Sequence, residues 1–320
     1  MCTAINFKGV SNYFGRNLDF ECSHNERVIV TPRNFPFRFL KEKHYALIGM
    51  GVEAENYPLY FDAANEKGVC MAGLNFPDNC VYQKEKEGCK NIPSYDFISY
   101  ILASCKDMNE VRQTLKNINI TDTPFSKNLP PSPLHWIISF KGESVVVETV
   151  KEGIKVYENP IGVLTNNPPF SYHISNLSNY MNLSAAPPQN RFAPDTRIKA
   201  YSRGMGAMGL PGDLSSASRF IRAAFMKLNS PCENNEQSAV AQFFHILDCV
   251  KQIKGANQLE NNEYEITLYS SCINADRGVY YYKTYQNPTV NAVDMNKEVL
   301  NGKTLKTFPL KNEMQINFHN

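Results

Sequence analysis

Residues 57–76 read YPLYFDAANEKGVCMAGLNF. Two runs rich in apolar and aromatic residues, 57–64 and 69–76, flank Asn65-Glu66-Lys67-Gly68. Asparagine tolerates turn geometry, and glycine accepts the left-handed backbone that closes a tight loop, so the stretch predicts a β-hairpin. A four-residue loop can join only antiparallel neighbours, because a parallel pair needs a crossover of about a dozen residues or more. The hairpin therefore predicts an antiparallel sheet.

The same pattern extends in both directions. Upstream, CTAINF (2–7), YFGRNLDF (13–20), RVIVTPR (27–33) and YALIGMGV (45–52) are short and turn-bounded, as strands are. Downstream, HWIISF (135–140) and SVVVETV (144–150) flank the turn KGES (141–144), and IKVYEN (154–159) and IGVLTNN (161–167) follow. Helical spacing over 94–120 predicts two helices broken near Lys106, and further helices are expected over about 215–229 and 236–254. Residues 184–214, with Pro187, Pro188, Pro194 and Pro211, read as loop. The chain closes in strands at EYEITLYSSC (263–272), GVYYYKTY (278–285), TVNAVDM (289–295) and LKTFPL (305–310). Blocks of hairpins separated by blocks of helices predict an α+β fold of two antiparallel sheets packed together and covered by helices. No linker or repeat divides residues 1–320, so a single domain is expected.

Composition narrows the function. A net charge of +2 argues against a nucleic-acid partner, and no apolar run approaches the ~20 residues of a membrane span. The start lacks a basic stretch followed by an apolar one, which predicts a cytoplasmic protein. The nine cysteines form no CxxC pair and the six histidines no HxxxH, so no metal site is expected. Residues 204–209 match GxGxxG, but they follow the polar KAYSR and run into Leu210-Pro211-Gly212 rather than a helix. A dinucleotide site fails that context, and no cofactor is expected.

Cys2 has two readings. It is a small buried hydrophobe, or it is a nucleophile whose own α-amine becomes free once Met1 is removed. A terminal amine with a reference pKa of about 7.7–8.0 can act as base for its own thiol without any histidine. Arg16 and Asp19 are either a surface ion pair or the groups that favour the thiolate and aim the amine. On a regular strand they would fall on opposite faces. Asn75 and Asn166 end apolar strands, where asparagine either forms a turn or presents a donor to an oxyanion. Asn167, followed by Pro168, reads as the turn residue. Arg219 on an apolar helix face either snorkels to solvent or reaches a site. Leu18, Phe20, Leu59, Phe61, Phe125, Leu129 and Leu134 are ordinary packing residues or the lining of an apolar pocket for a small-molecule substrate.

In their order, MCTAINF, YFGRNLDF, YPLYFDAANEKG, AGLNFP, LHWIIS, VVVE, IGVLTNNP, GLPGD, SRFIR and the closing NAVDMNKE resemble the choloylglycine hydrolases, the bile salt hydrolases of gut bacteria. The resemblance runs over essentially the whole chain. It implies the αββα sandwich of N-terminal-nucleophile hydrolases and cleavage of glycine- or taurine-conjugated bile salts without cofactor or metal. It further implies Cys2 as nucleophile, Arg16 and Asp19 as its polar neighbours, and Asn75 and Asn166 as oxyanion-site asparagines. Arg219 matches the arginine of the SRF motif. A bacterial cytoplasmic homo-oligomer, commonly a tetramer, is also implied. Penicillin V acylases resemble the chain in most of these motifs but tend to carry tyrosine at the position of Asn75, so GLNF favours the bile salt branch. A related N-acyl amide hydrolase or a non-catalytic lipid-binding protein using the same pocket are the alternatives.

Overall fold

The structure is a computed structural model, and it describes residues 1–40, 43–260 and 262–320. The first block is a run of hairpin strands: β1 (Cys2–Lys8), β2 (Asn12–Phe20), β3 (Arg27–Thr31), β4 (Leu47–Ala54), β5 (Tyr57–Asn65) and β6 (Cys70–Asn75). A smaller unit follows, formed by β7 (Lys90–Pro93), α1 (Phe97–Ser104), α2 (Met108–Leu115) and β8 (Ile118–Thr121). The second strand block holds β9 (Leu134–Phe140), β10 (Glu143–Val150), β11 (Gly153–Glu158) and β12 (Val163–Leu164), and ends in α3 (Phe170–Asn176). Two longer helices, α4 (Ser216–Asn229) and α5 (Glu236–Asp248), precede β13 (Ile266–Asn274), β14 (Val279–Thr284), β15 (Asn291–Asp294) and β16 (Lys306–Pro309).

Apart from β7 and β8, which pair with each other in parallel, these strands form two antiparallel sheets. The first has the order β12-β1-β2-β13-β14-β15, the second β11-β10-β9-β6-β5-β4-β3-β16. Between the sheets β1 and β2 meet β6, helices α4 and α5 cover the first sheet, and α1 covers the second. The result is the αββα sandwich. The hairpin of residues 57–76 pairs Ala64 with Cys70, and Gly68 closes it at φ 91.

The central strands of the second sheet are buried on both faces. Along β10, Val146 joins the core between the sheets while Val145 and Val147 join the core under α1 and α2. Ile137 and Trp136 divide in the same way on β9, as do Ala72 and Met71 on β6. Successive strand residues point to opposite faces, so burial on both faces produces continuous apolar runs without alternation.

The helix starts follow their caps. Asp107 accepts from the backbone N–H of Glu110 at 2.9 Å, which places the expected break near Lys106. Ser215 and Asn235 cap α4 and α5 in the same manner. Two expectations need correction. Helical spacing ends at Leu115, and Ile118–Thr121 is instead a strand parallel to β7. The helix expected over 236–254 stops at Asp248. Helix α3 lies between the strand read to Asn167 and the loop read from 184, where no element was expected; Pro168 and Pro169 precede it, with Pro169 at its N-cap.

Candidate active site

Cys2 opens β1, paired with Leu18 of β2, and Ala4 is paired with Arg16. Directly paired residues share a face, as do residues two apart, so Cys2, Arg16 and Leu18 all point between the sheets. Arg16 is buried and crosses to the second sheet, where Nη1 donates to the carbonyls of Gly73 at 2.5 Å and Phe61 at 3.2 Å. Its Nη2 has no partner among the described residues. Burial opposes its charge, but the charges of Cys2, Tyr269, Asp62 and Asp19 prevail and hold the guanidinium above its ordinary pKa. Gly15, just before it, admits the backbone of β13: a Cβ there would stand 2.1 Å from the Ser271 carbonyl oxygen.

Asp19 faces the other way, as strand geometry requires. It is fully buried and accepts from the Thr267 hydroxyl at 2.6 Å, and Arg219 Nη1 lies 3.9 Å away. Opposite Leu18 and Asp19, β13 shifts register between Thr267 and Tyr269. A bulge of this kind re-aims side chains at the end of a ladder. Burial pushes the Asp19 carboxyl up, against the pull of Arg219, the N-terminal ammonium, the Thr267 hydroxyl and Arg16.

Arg219 does not snorkel. It is fully buried on α4 and donates to the Cys2 carbonyl at 2.5 Å, Thr3 Oγ1 at 2.7 Å, Asn166 Oδ1 at 2.8 Å and the Leu214 carbonyl at 3.0 Å. Asn166 follows β12, which pairs with β1, and its Oδ1 accepts the backbone N–H of Cys2 at 2.7 Å. Its Nδ2 donates to the carbonyl of Asn75 at 2.8 Å, which joins the two asparagines. His173 of α3 lies behind them, with Nε2 2.9 Å from the Asn166 carbonyl and Nδ1 without a partner among the described residues. Burial holds this imidazole down to about 4, so it is neutral and donates through Nε2. Asn167 Nδ2 donates to the Pro77 carbonyl at 2.8 Å.

A cavity of about 430 Å³ opens beside Cys2. Leu18, Phe20, Leu59, Phe61, Phe125, Leu129 and Leu134 all line it, together with Cys2, Arg16 and Asn75. Residues from the β2–β3, α1 and 125–134 segments meet there. Asp19, Asn166 and Arg219 are not part of its wall; Asn166 and Arg219 hold Cys2 from behind, and Asp19 lies beside Arg219. Sequence reasoning missed Trp136, Tyr95, Pro130, Pro131 and His24 at this cavity. Trp136 lies two residues beyond Leu134 on the same strand, and that period of two was the available signal. Nothing in the sequence pointed to His24, which comes near Phe20 (ring centroids 4.7 Å apart) only through the β2–β3 loop.

Comparison with known proteins places this geometry. The family model of linear amide C–N hydrolases, choloylglycine hydrolase family, matches residues 2–308. The chain belongs to the choloylglycine hydrolase family. It is 50% identical to a bile salt hydrolase/transferase of Lactiplantibacillus plantarum, with 98% of each chain covered. It is 42% identical over the full length of both chains to a bile salt hydrolase/transferase of Clostridium perfringens. The crystal structure of a variant of the conjugated bile acid hydrolase from Clostridium perfringens superposes with a TM-score of 0.92 at 40% identity, covering 100% of each chain. A penicillin V acylase of Agrobacterium tumefaciens shares the fold at a TM-score of 0.78 and 19% identity, over 97% of this chain and 92% of that one. As a choloylglycine hydrolase family member, the chain is an amide hydrolase.

Proposed function

We propose that the chain hydrolyses the amide bond joining a bile acid to glycine or taurine, with Cys2 as nucleophile and a thioester intermediate. The observation that carries this reading is that Cys2 shares one largely apolar cavity with Asn75 and with Arg16, whose Nη2 has no partner among the described residues. With Met1 in place, the Cys2 nitrogen is a peptide amide whose electron pair is delocalised, so it cannot act as a base. Met1 is held as an extension of β1: its ammonium donates to the Asp19 carbonyl at 2.9 Å and contacts Glu265. The active form begins at Cys2.

In that form the α-amine takes the thiol proton and Arg16 Nη2 supports the negative sulfur. The thiolate attacks the amide carbonyl, and the side chain of Asn75 donates to the resulting oxyanion, joined by that of Asn166 once its Nδ2 turns from the Asn75 carbonyl to the cavity. Loss of one such donor costs about 3–4 kcal/mol of barrier stabilisation. As the C–N bond breaks, the ammonium of Cys2 returns its proton to the leaving amine, and a thioester remains. Water then attacks with the same amine as base, releasing the bile acid and the free thiol. The steroid body occupies the cavity walled by Phe20, Phe61, Phe125 and Leu134, which supply affinity without catalysis.

The experiment is to incubate purified protein with glycocholate, taurocholate and penicillin V and to quantify the released amines. Release of glycine or taurine at rates well above that of the penicillin amine supports the proposal. Faster turnover of penicillin V assigns the chain to acylase chemistry instead. Binding of conjugates without any release makes it a lipid-binding protein.

A further inference from the structure

Behind the two asparagines lies a buried acid–base pair that the mechanism above does not use. His135 and Glu148 are both fully buried, with Nδ1 and Oε1 3.2 Å apart. His135 Nε2 stands 2.8 Å from the carbonyl oxygen of Thr165, the residue before Asn166. The His135 ring stacks on Phe76, the residue after Asn75, with centroids 4.3 Å apart and planes 6° from parallel. One side chain thus touches both segments that present the asparagines.

The hydrogen count is constrained. A carbonyl only accepts, so His135 Nε2 carries a hydrogen. The same Glu148 oxygen also accepts the backbone N–H of Phe170 at 2.8 Å. A proton must therefore lie between Nδ1 and Oε1, whether as imidazolium and carboxylate or as imidazole and carboxylic acid. Glutamine cannot reproduce this: an amide oxygen there serves Phe170 and leaves Nδ1 uncompensated, while an amide nitrogen serves Nδ1 and opposes the Phe170 N–H.

We propose that His135, clamped by Glu148, is a positioning residue that sets Asn75 and Asn166 relative to each other for oxyanion binding. This rests on the oxyanion role given to the asparagines above. Reacting groups displaced by about 1 Å lose roughly 10²-fold in rate. For Glu148→Gln we expect a fall in kcat on glycocholate of about 10²-fold, with KM and the rate of Cys2 alkylation by iodoacetamide within about twofold of wild type. His135→Phe keeps the ring and should behave alike; if it does not fold, Glu148→Gln carries the test. Side-chain amide resonances of Asn75 and Asn166, assigned through their alanine variants, should both move in Glu148→Gln. Unchanged kcat, a rise in KM alone, or stationary asparagine resonances would each overturn the proposal. If wild type releases no amine from any conjugate, the functional reading fails while the resonances still decide the positioning. If wild type is active and Glu148→Gln matches it, only the positioning fails.

Discussion

Arg219 Nη1 donates to the carbonyl oxygen of Cys2 at 2.5 Å, across 217 residues of sequence. The same guanidinium holds Asn166 and lies beside Asp19, so one buried cation ties the strand of Cys2 to two polar side chains. Arg219→Met should remove this tie and leave Asp19 buried without its neighbouring cation. We expect a loss of about 3–5 kcal/mol in stability, as for other broken buried pairs, together with loss of turnover. Urea unfolding of both proteins measures it, and a change below 1 kcal/mol would assign Arg219 no more than a surface arginine's role.

Cys2 is buried against the core between the sheets, and serine nearly matches its volume. Cys2→Ser should therefore fold with an unchanged melting temperature and lose nearly all turnover, because an alcohol ionises far less readily than a thiol. Intact mass after rapid quenching should show a bile-acid adduct on wild type and none on the variant. Active protein that retains Met1 would refute the α-amine as base.

Asn75 lies on the cavity wall, whereas Asn166 is bound up with Cys2 and Arg219. Asn75→Ala should lower kcat much more than it raises KM. Asn75→Tyr should shift the ratio of glycocholate to penicillin V turnover toward the penicillin, and an unchanged ratio would remove Asn75 as a discriminator.

His173 predicts a pH effect whose sign can be worked out. Burial lowers its folded pKa from 6.5 to about 4, so the unfolded chain binds the extra proton first. Its contribution is present above about pH 6.5 and declines as pH falls toward 4, amounting to roughly 3 kcal/mol. Asp96 works in the opposite sense: burial raises its carboxyl from 3.8 to about 6, so its share of stability falls as pH rises through that range. The readable quantity is thus the difference between wild type and His173→Gln, which keeps a donor to the Asn166 carbonyl and cannot titrate. That difference should shrink or reverse between pH 6.5 and 4, and a difference independent of pH would contradict the buried neutral imidazole.

Phe61 stands on the cavity wall near His24, with ring centroids 6.1 Å apart. Phe61→Ala removes apolar contact from the substrate without touching the reacting groups. KM for glycocholate should rise about tenfold with kcat within about twofold. A fall in kcat at constant KM would place Phe61 in orienting the scissile bond.

The sequence by itself determined the hairpins, the antiparallel sheets and the αββα layering, because loop length and local pattern restrict which strands can be neighbours. Gly68 with its positive φ and the cap at Asp107 are local features of this kind. The candidate nucleophile was also legible, since Cys2 owes its reading to its position in the chain. The split of Arg16 and Asp19 onto opposite faces followed from strand geometry alone. Helix α3 and strand β8 were not legible: each is a short segment whose form depends on partners distant in sequence. Only the tertiary structure brought Asn166 and Arg219 to Cys2, through the β12–β1 pairing and the seating of α4 on β1. It also decided that seven scattered apolar residues share one cavity and that His135 and Glu148 are a buried pair. Propensity and periodicity report on residues a few positions apart. Which side chains meet across two sheets depends on how the layers stack, and that is settled by burying all the apolar faces at once.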